Sequence, residues 1–222
     1  MPTRAVVFDL YGTLVDEAPK ATWQAMQDEL ADTLGIDRDT FARLWLETYD
    51  LRSTGPFPTS LEELCGRAGA ELDSERLGRV LELRREYMRD QLVPRPDAEQ
   101  TLTELRGRGL ELGLVTECSD GVPDLWPETR LAPHFAAQVY TCEVGVRKPA
   151  RVLYDLVCER LDVEHAECVY VGDGGGYELA GAAELGMRPI LIVAPHAEWL
   201  HPEAEDWTGA RVSSLRELLA LI

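Results

Sequence analysis

RAVVFDLYGTL, residues 4–14, is an apolar run that ends on a carboxylate, Asp9, and then meets a glycine, Gly12. Val6, Val7 and Phe8 are strand formers, so the run reads as a short β-strand with Asp9 at its end. Gly12 permits a tight turn just after it, where exposed backbone N–H groups can face an anion. The same string also suits an ordinary strand-to-helix turn, because Asp and Gly both favour turns. The rest of the chain decides between the two. Comparable runs end at Thr116 (ELGLVT), near Thr141 (AAQVYT), at Asp173 (CVYVGD) and near Val193 (PILIV), which predicts five strands. Helical patterns at about 97–108, 149–161, 176–186 and 213–221 alternate with the later strands, as in a parallel sheet. The expected fold class is therefore α/β, a Rossmann-like parallel sheet. Asp9, Thr116 and Asp173 all fall at carboxyl ends of strands, where open α/β sheets bind ligands.

Residues 17–91 break this rhythm with four amphipathic helical stretches, near 18–34, 39–50, 60–69 and 74–91, and no convincing strand. The segment Ser53–Pro58 reads as a loop, and Pro94 and Pro96 mark the return to the alternating pattern. The expected division is an α/β core from residues 1–16 and 92–222, with 17–91 as a helical insert. No internal repeat or low-complexity tract interrupts either part.

A formal net charge of −18 argues against nucleic acid or an anionic membrane surface as a partner. No apolar run approaches the roughly 20 residues of a membrane-spanning helix, and the first residues lack a signal-peptide pattern, so a cytoplasmic location is expected. Cys65, Cys118, Cys142, Cys158 and Cys168 are odd in number and lack C-x-x-C spacing, which disfavours a disulfide framework or a zinc site. The 22 cations include only two lysines, Lys20 and Lys148. In a chain that otherwise uses arginine for positive charge, a lysine invites a specific role.

On four pieces of sequence, in order, the chain resembles the haloacid dehalogenase superfamily. Asp9 in DLYGT occupies the place of the nucleophile in the family's DxDGT motif, with Gly12 and Thr13 beside the bound group. Thr116 matches the Ser or Thr that hydrogen-bonds the transferred group, and Glu117 follows it. Lys148, before Pro149, matches the lysine that balances charge on nucleophile and phosphoryl group. Asp173, with Glu178 five residues on, resembles the acidic motif that holds magnesium. The resemblance implies a hydrolase with Mg²⁺ held by Asp9, Asp173, Glu178 and the backbone carbonyl of Tyr11. It also implies that the helical insert is a cap closing over a small anionic substrate. Taken singly, each motif has a plainer explanation: a turn, a strand threonine, a surface lysine or a glycine-rich loop.

The sequence departs from the phosphatase pattern at Tyr11, where the family's second aspartate protonates the leaving group. A phenol, with a pKa near ~10, is a poor base at neutral pH, so catalysis should be confined to good leaving groups. The family's 2-haloacid dehalogenases share D-x-Y-G-T, and halide leaves without a proton. Their fourth motif, however, is rich in serine and asparagine, whereas this chain keeps Asp173 and Glu178. Three readings therefore stand: a Mg²⁺-dependent phosphatase-like hydrolase, a 2-haloacid dehalogenase, and a non-catalytic ligand-binding relative. Within the cap, Arg43 and Arg52 are candidates to clamp a substrate carboxylate, with Trp45, Tyr49 and Phe57 as apolar walls. His196, His201, Glu198 and Glu203 lack helix-face spacing for a metal and read as a solvated loop. The chain is expected to be a monomer or a homodimer.

Overall fold

The computed structural model describes residues 2–222. Ala5–Phe8 forms β1, and all four of its side chains are buried. That is possible only for a strand covered on both faces, and the sheet around it is parallel throughout. The cap follows as five helices, α1 (Lys20–Leu34), α2 (Arg38–Glu47), α3 (Tyr49–Thr54), α4 (Phe57–Ala68) and α5 (Ser74–Gln91). The chain then returns through α6 (Ala98–Gly107), β2 (Glu111–Thr116), α7 (Gly121–Leu125), β3 (Ala137–Tyr140), α8 (Thr141–Val144) and α9 (Arg151–Leu161). It finishes with β4 (Cys168–Gly172), α10 (Glu178–Glu184), β5 (Arg188–Ile192), α11 (Pro202–Asp206) and β6 (Ala210–Val212).

The sheet order is β3-β2-β1-β4-β5-β6, so β1 lies between β2 and β4. Successive strand residues serve opposite faces. Val6 and Phe8 join one apolar cluster with Leu112, Leu114, Val169 and Val171. Ala5 and Val7 join the other, with Val115, Val139 and Tyr170. The strand order reverses at β1, which opens a crevice at its carboxyl end, and Asp9 is the next residue. Its backbone N–H is tied to the Val171 carbonyl at 2.9 Å, which holds Asp9 in register with the end of β4.

Six strands form where five were expected. The missed one, β6, has three residues, two of them exposed, so it carries no apolar run for a pattern to detect. The helix expected at 213–221 is a 3₁₀ segment, Leu215–Ala220. In the cap, the stretch expected as one helix at 39–50 is divided at Thr48, whose hydroxyl donates to the Leu44 carbonyl at 2.8 Å. The loop expected at Ser53–Pro58 shrinks to Gly55 and Pro56, because Pro58 sits in the first turn of α4, where no N–H is missed.

The cap has its own apolar cluster, built from Leu30, Phe41, Trp45, Phe57, Leu61, Leu64 and Val80. Its two connections to the core run side by side: Arg95 N–H donates to the Leu14 carbonyl at 2.9 Å. The buried Arg95 guanidinium also bonds Asp16 and the Gly12 carbonyl, both at 2.7 Å. Among the described residues, no helix is long and apolar enough to cross a membrane.

Candidate active site

Three carboxylates and one lysine meet at the carboxyl end of β1. Lys148, placed by the loop before α9, donates to Asp9 Oδ1 and to Glu178 Oε2, each at 2.5 Å, and all three side chains are buried. Glu178 is further held by the Tyr170 hydroxyl at 2.8 Å and by the Gly174 N–H at 3.1 Å, so both its oxygens are bonded within the protein. Asp173 accepts from the Gly175 N–H at 3.0 Å. Asp9, Asp173 and Glu178 each bring a carboxylate oxygen within 4.8 Å of the others.

Close packing in this cluster needs two glycines. A Cβ on Gly12, which has φ of +69°, would lie 1.9 Å from Asp173 Oδ2. One on Gly172 would lie 2.0 Å from Glu178 Oε1. Removing both side chains lets β1 and β4 present their carboxylates to the same point.

Burial and charge set the protonation of the cluster. Burial pushes the Asp9 carboxyl up to about 6, against the pull of Lys148, and Asp173 adds repulsion. Burial likewise pushes Glu178 up to about 8, with Lys148 opposing and Asp9 and Asp173 reinforcing. For Lys148 burial disfavours the charge, but the two carboxylates outweigh it and hold the ammonium protonated well above its ordinary value. Lys148 thus faces two acids and leaves Asp173 to other partners, and the hard oxygen donors form a buried acidic cluster that resembles a Mg²⁺ site. Among the described residues no backbone N–H bonds the Tyr11 carbonyl.

Above the cluster lies a cavity of about 620 Å³ between core and cap. Its lining includes Asp9, Tyr11, Glu117, Lys148, Asp173 and Glu178 from the core and Trp45, Tyr49, Arg52 and Arg84 from the cap. Thr13 and Thr116 are fully buried outside that lining, and neither hydroxyl has a partner among the described residues. The Tyr11 phenol is raised well above its ordinary value, first by desolvation, so it stays neutral and is no base. Glu117 Oε1 accepts from the Tyr49 hydroxyl at 2.7 Å and from Arg147 Nε at 2.9 Å, which ties it to the cap, while Oε2 is buried without a partner.

Several expectations are corrected. Arg43 is not at the site: it lies on the exposed face of α2, paired with Glu47 at 2.9 Å, and does not line the cavity. Phe57 is buried inside the cap, with the Arg84 guanidinium 3.6 Å from its ring centre, and is not a cavity wall. His201 is not a solvated loop residue. Its Nε2 lies 3.3 Å from Asp173 Oδ2 and 3.8 Å from Glu17 Oε1, close enough for the three to form a second group of possible ligands. These two neighbours raise the imidazole to about 10. Glu203 accepts from the N–H groups of Leu179 and Ala180, covering the start of α10. His196 does remain exposed.

Sequence reasoning missed Glu17, Arg84, Arg147 and Tyr170. Arg147 and Tyr170 adjoin recognised motifs, so proximity was a usable signal. Arg84 falls on the apolar side of α5 and could have been found by asking why an arginine is there. Glu17 carried no signal.

Comparison with known proteins agrees with this geometry. The family described as haloacid dehalogenase-like hydrolase matches residues 3–186. The chain is 32% identical to the ribulose-1,5-bisphosphate 5-phosphatase of Halopiger xanaduensis, over 85% of this chain and 84% of that one. A HAD phosphatase from Thermococcus onnurineus superposes with a TM-score of 0.72 at 26% identity, covering 99% of this chain and 97% of that one. A 2-haloacid dehalogenase from Pseudomonas syringae has the same fold, with a TM-score of 0.72 at 24% identity and coverage of 99% and 97%. On sequence and fold, the chain belongs to the haloacid dehalogenase-like hydrolases.

Proposed function

We propose that this hydrolase is a Mg²⁺-dependent, phosphatase-like enzyme that uses Asp9 as a covalent nucleophile on small phosphorylated metabolites with good leaving groups. The observation that carries the reading is the excess of carboxylate at the cavity floor, where Asp9, Asp173, Glu178 and Glu17 face only Lys148 and His201. Such crowding is costly unless a hard divalent cation completes it. Asp9, Asp173 and the Tyr11 carbonyl would hold the ion. Glu178, already bonded to Lys148, Tyr170 and Gly174, would act through water and by positioning Lys148. When bound, the ion supplies positive charge that offsets the repulsion between carboxylate and phosphoryl group.

The chain's own residues do the remainder. Lys148 orients Asp9 and neutralises part of its charge, and an Asp9 oxygen attacks phosphorus as the leaving oxygen departs. Burial makes the Tyr11 phenol a still weaker acid, so it does not give up its proton to the leaving oxygen and the departing anion must be stable unprotonated. Hydrolysis of the aspartyl phosphate then restores Asp9. Residues 17–91 act as the cap that excludes bulk water, and Glu117 and Arg52 are substrate contacts within the cavity. That a relative 32% identical is a bisphosphate phosphatase supports phosphoryl chemistry.

The D-x-Y-G-T string of Asp9–Thr13 favours a second reading, halide displacement from a 2-haloacid. One assay separates them: turnover of an aryl phosphate and of a 2-haloacid, each with magnesium and with chelator. The proposal expects aryl phosphate hydrolysis that chelation stops, faster than for alkyl phosphates. Halide release unaffected by chelator, with no phosphate released, would overturn it.

A further inference from the structure

Three arginines line the cavity, and two of them are already neutralised. Arg147 binds Glu117 and Asp50, and Arg84 bonds Ser119 and lies 3.5 Å from Asp120. Arg52 is different. It is buried on α3, and among the described residues it makes no ion pair. Its one side-chain hydrogen bond goes to the Trp45 carbonyl, which leaves most of its five N–H donors unused. The guanidinium is stacked against Trp45 and Tyr49, 4.2 and 4.9 Å from their ring centres, and both rings also line the cavity. The stacking fixes the plane of the group while its edge, where the donors are, stays open to a ligand.

A buried cation without an anion is costly. Desolvation here draws the guanidinium down to about 9, which still leaves it charged at neutral pH. Lys148, at the cavity floor, is by contrast fully occupied by Asp9 and Glu178.

We infer that the substrate carries two anionic groups, and that Arg52 binds the second of them, a carboxylate or a second phosphoryl group, on the cap side of the cavity. This rests on the reading that the first is a phosphoryl group at Asp9. The arrangement makes Arg52 a specificity residue: a substrate whose phosphate is its one anionic group would leave the Arg52 charge buried and unmatched.

Calorimetric binding in the presence of magnesium tests it without turnover. The probes are propylphosphonate, 3-phosphonopropionate and propane-1,3-bisphosphonate, with longer-chain homologues of each. A charge-assisted hydrogen bond gives about a tenfold or greater preference for the doubly anionic ligands in the wild-type chain. Arg52→Met should abolish that preference, and Arg52→Lys should keep part of it. Comparing carboxylate with phosphonate identifies which second anion the site prefers. Equal binding of all ligands by the wild-type protein, at every chain length, overturns the inference, as does a preference that survives Arg52→Met. Should Arg52→Met fail to fold, the wild-type and Arg52→Lys series still decide. Aryl phosphate turnover is read separately. Hydrolysis without ligand preference removes this subsite alone, and preference without hydrolysis supports the subsite while removing the proposed reaction.

Discussion

Lys148→Met removes the one cation that Asp9 and Glu178 share, and leaves two carboxylates facing each other in a site from which solvent is excluded. Glu178, which burial already pushes up to about 8, holds its proton at pH 7, but Asp9, pushed up to about 6 against the pull of Lys148, is driven further up when that pull is lost. Removing one partner of a buried ion pair costs ~3–5 kcal/mol. A chain of this length should lose ~6–20 °C in melting temperature, at ~2–4 °C per kcal/mol. The pH dependence has a definite sign. Above about 6, native Lys148→Met binds a proton at Asp9 that neither the unfolded chain nor native wild type holds, so the variant alone loses stability as pH rises. The deficit relative to wild type should therefore shrink by ~1.4 kcal/mol from pH 7 to 6 and change little below. Thermal melts of both proteins at pH 5, 6 and 7, without added metal, measure this. A variant melting within ~2 °C of wild type at pH 7, or a deficit that grows on acidification, would refute the claim that Lys148 neutralises both acids.

Asp9→Asn should fold but lose turnover, and in the wild-type protein acid quenching during aryl phosphate turnover should trap phosphate on the Asp9 peptide, read by mass spectrometry, while heavy oxygen from labelled water appears in the released phosphate; label in Asp9 itself would point to an ester intermediate instead. Tyr11→Asp places an acid beside Asp9 where Tyr11 now cannot serve as a base, and should raise alkyl phosphate hydrolysis by ~100-fold if leaving-group protonation is limiting. An unchanged rate would move the limit to the cap. Gly12→Ala sets a Cβ 1.9 Å from the Asp173 carboxylate at a φ of +69°. It should destabilise the fold by ~1–3 kcal/mol and weaken magnesium binding, measured by melting and by metal titration.

The core was legible in the sequence because its strands are short apolar runs with polar ends, and its helices alternate with them. Both signals are local. The buried run at Ala5–Phe8 and the strand-end positions of Asp9, Thr116 and Asp173 follow from residue type and periodicity alone. The family resemblance then ordered Asp9, Thr116, Lys148 and Asp173 into one expected site, and the structure brings Asp9, Lys148, Asp173 and Glu178 together. β6 escaped notice because an edge strand with two exposed residues has no apolar pattern. The cap contacts escaped for a different reason. Arg43 and Arg52 lie nine residues apart and are chemically identical in sequence, but the break at Thr48 puts one on an exposed helix face and the other inside the cavity. His201 and Asp173 are distant in the chain and meet only because the loop after β5 folds back across the end of β4. Side-chain direction and long-range closure are properties of packing. Residue types and their spacing therefore determined the kind of chemistry, and the tertiary fold alone decided which cations remain free to meet a substrate.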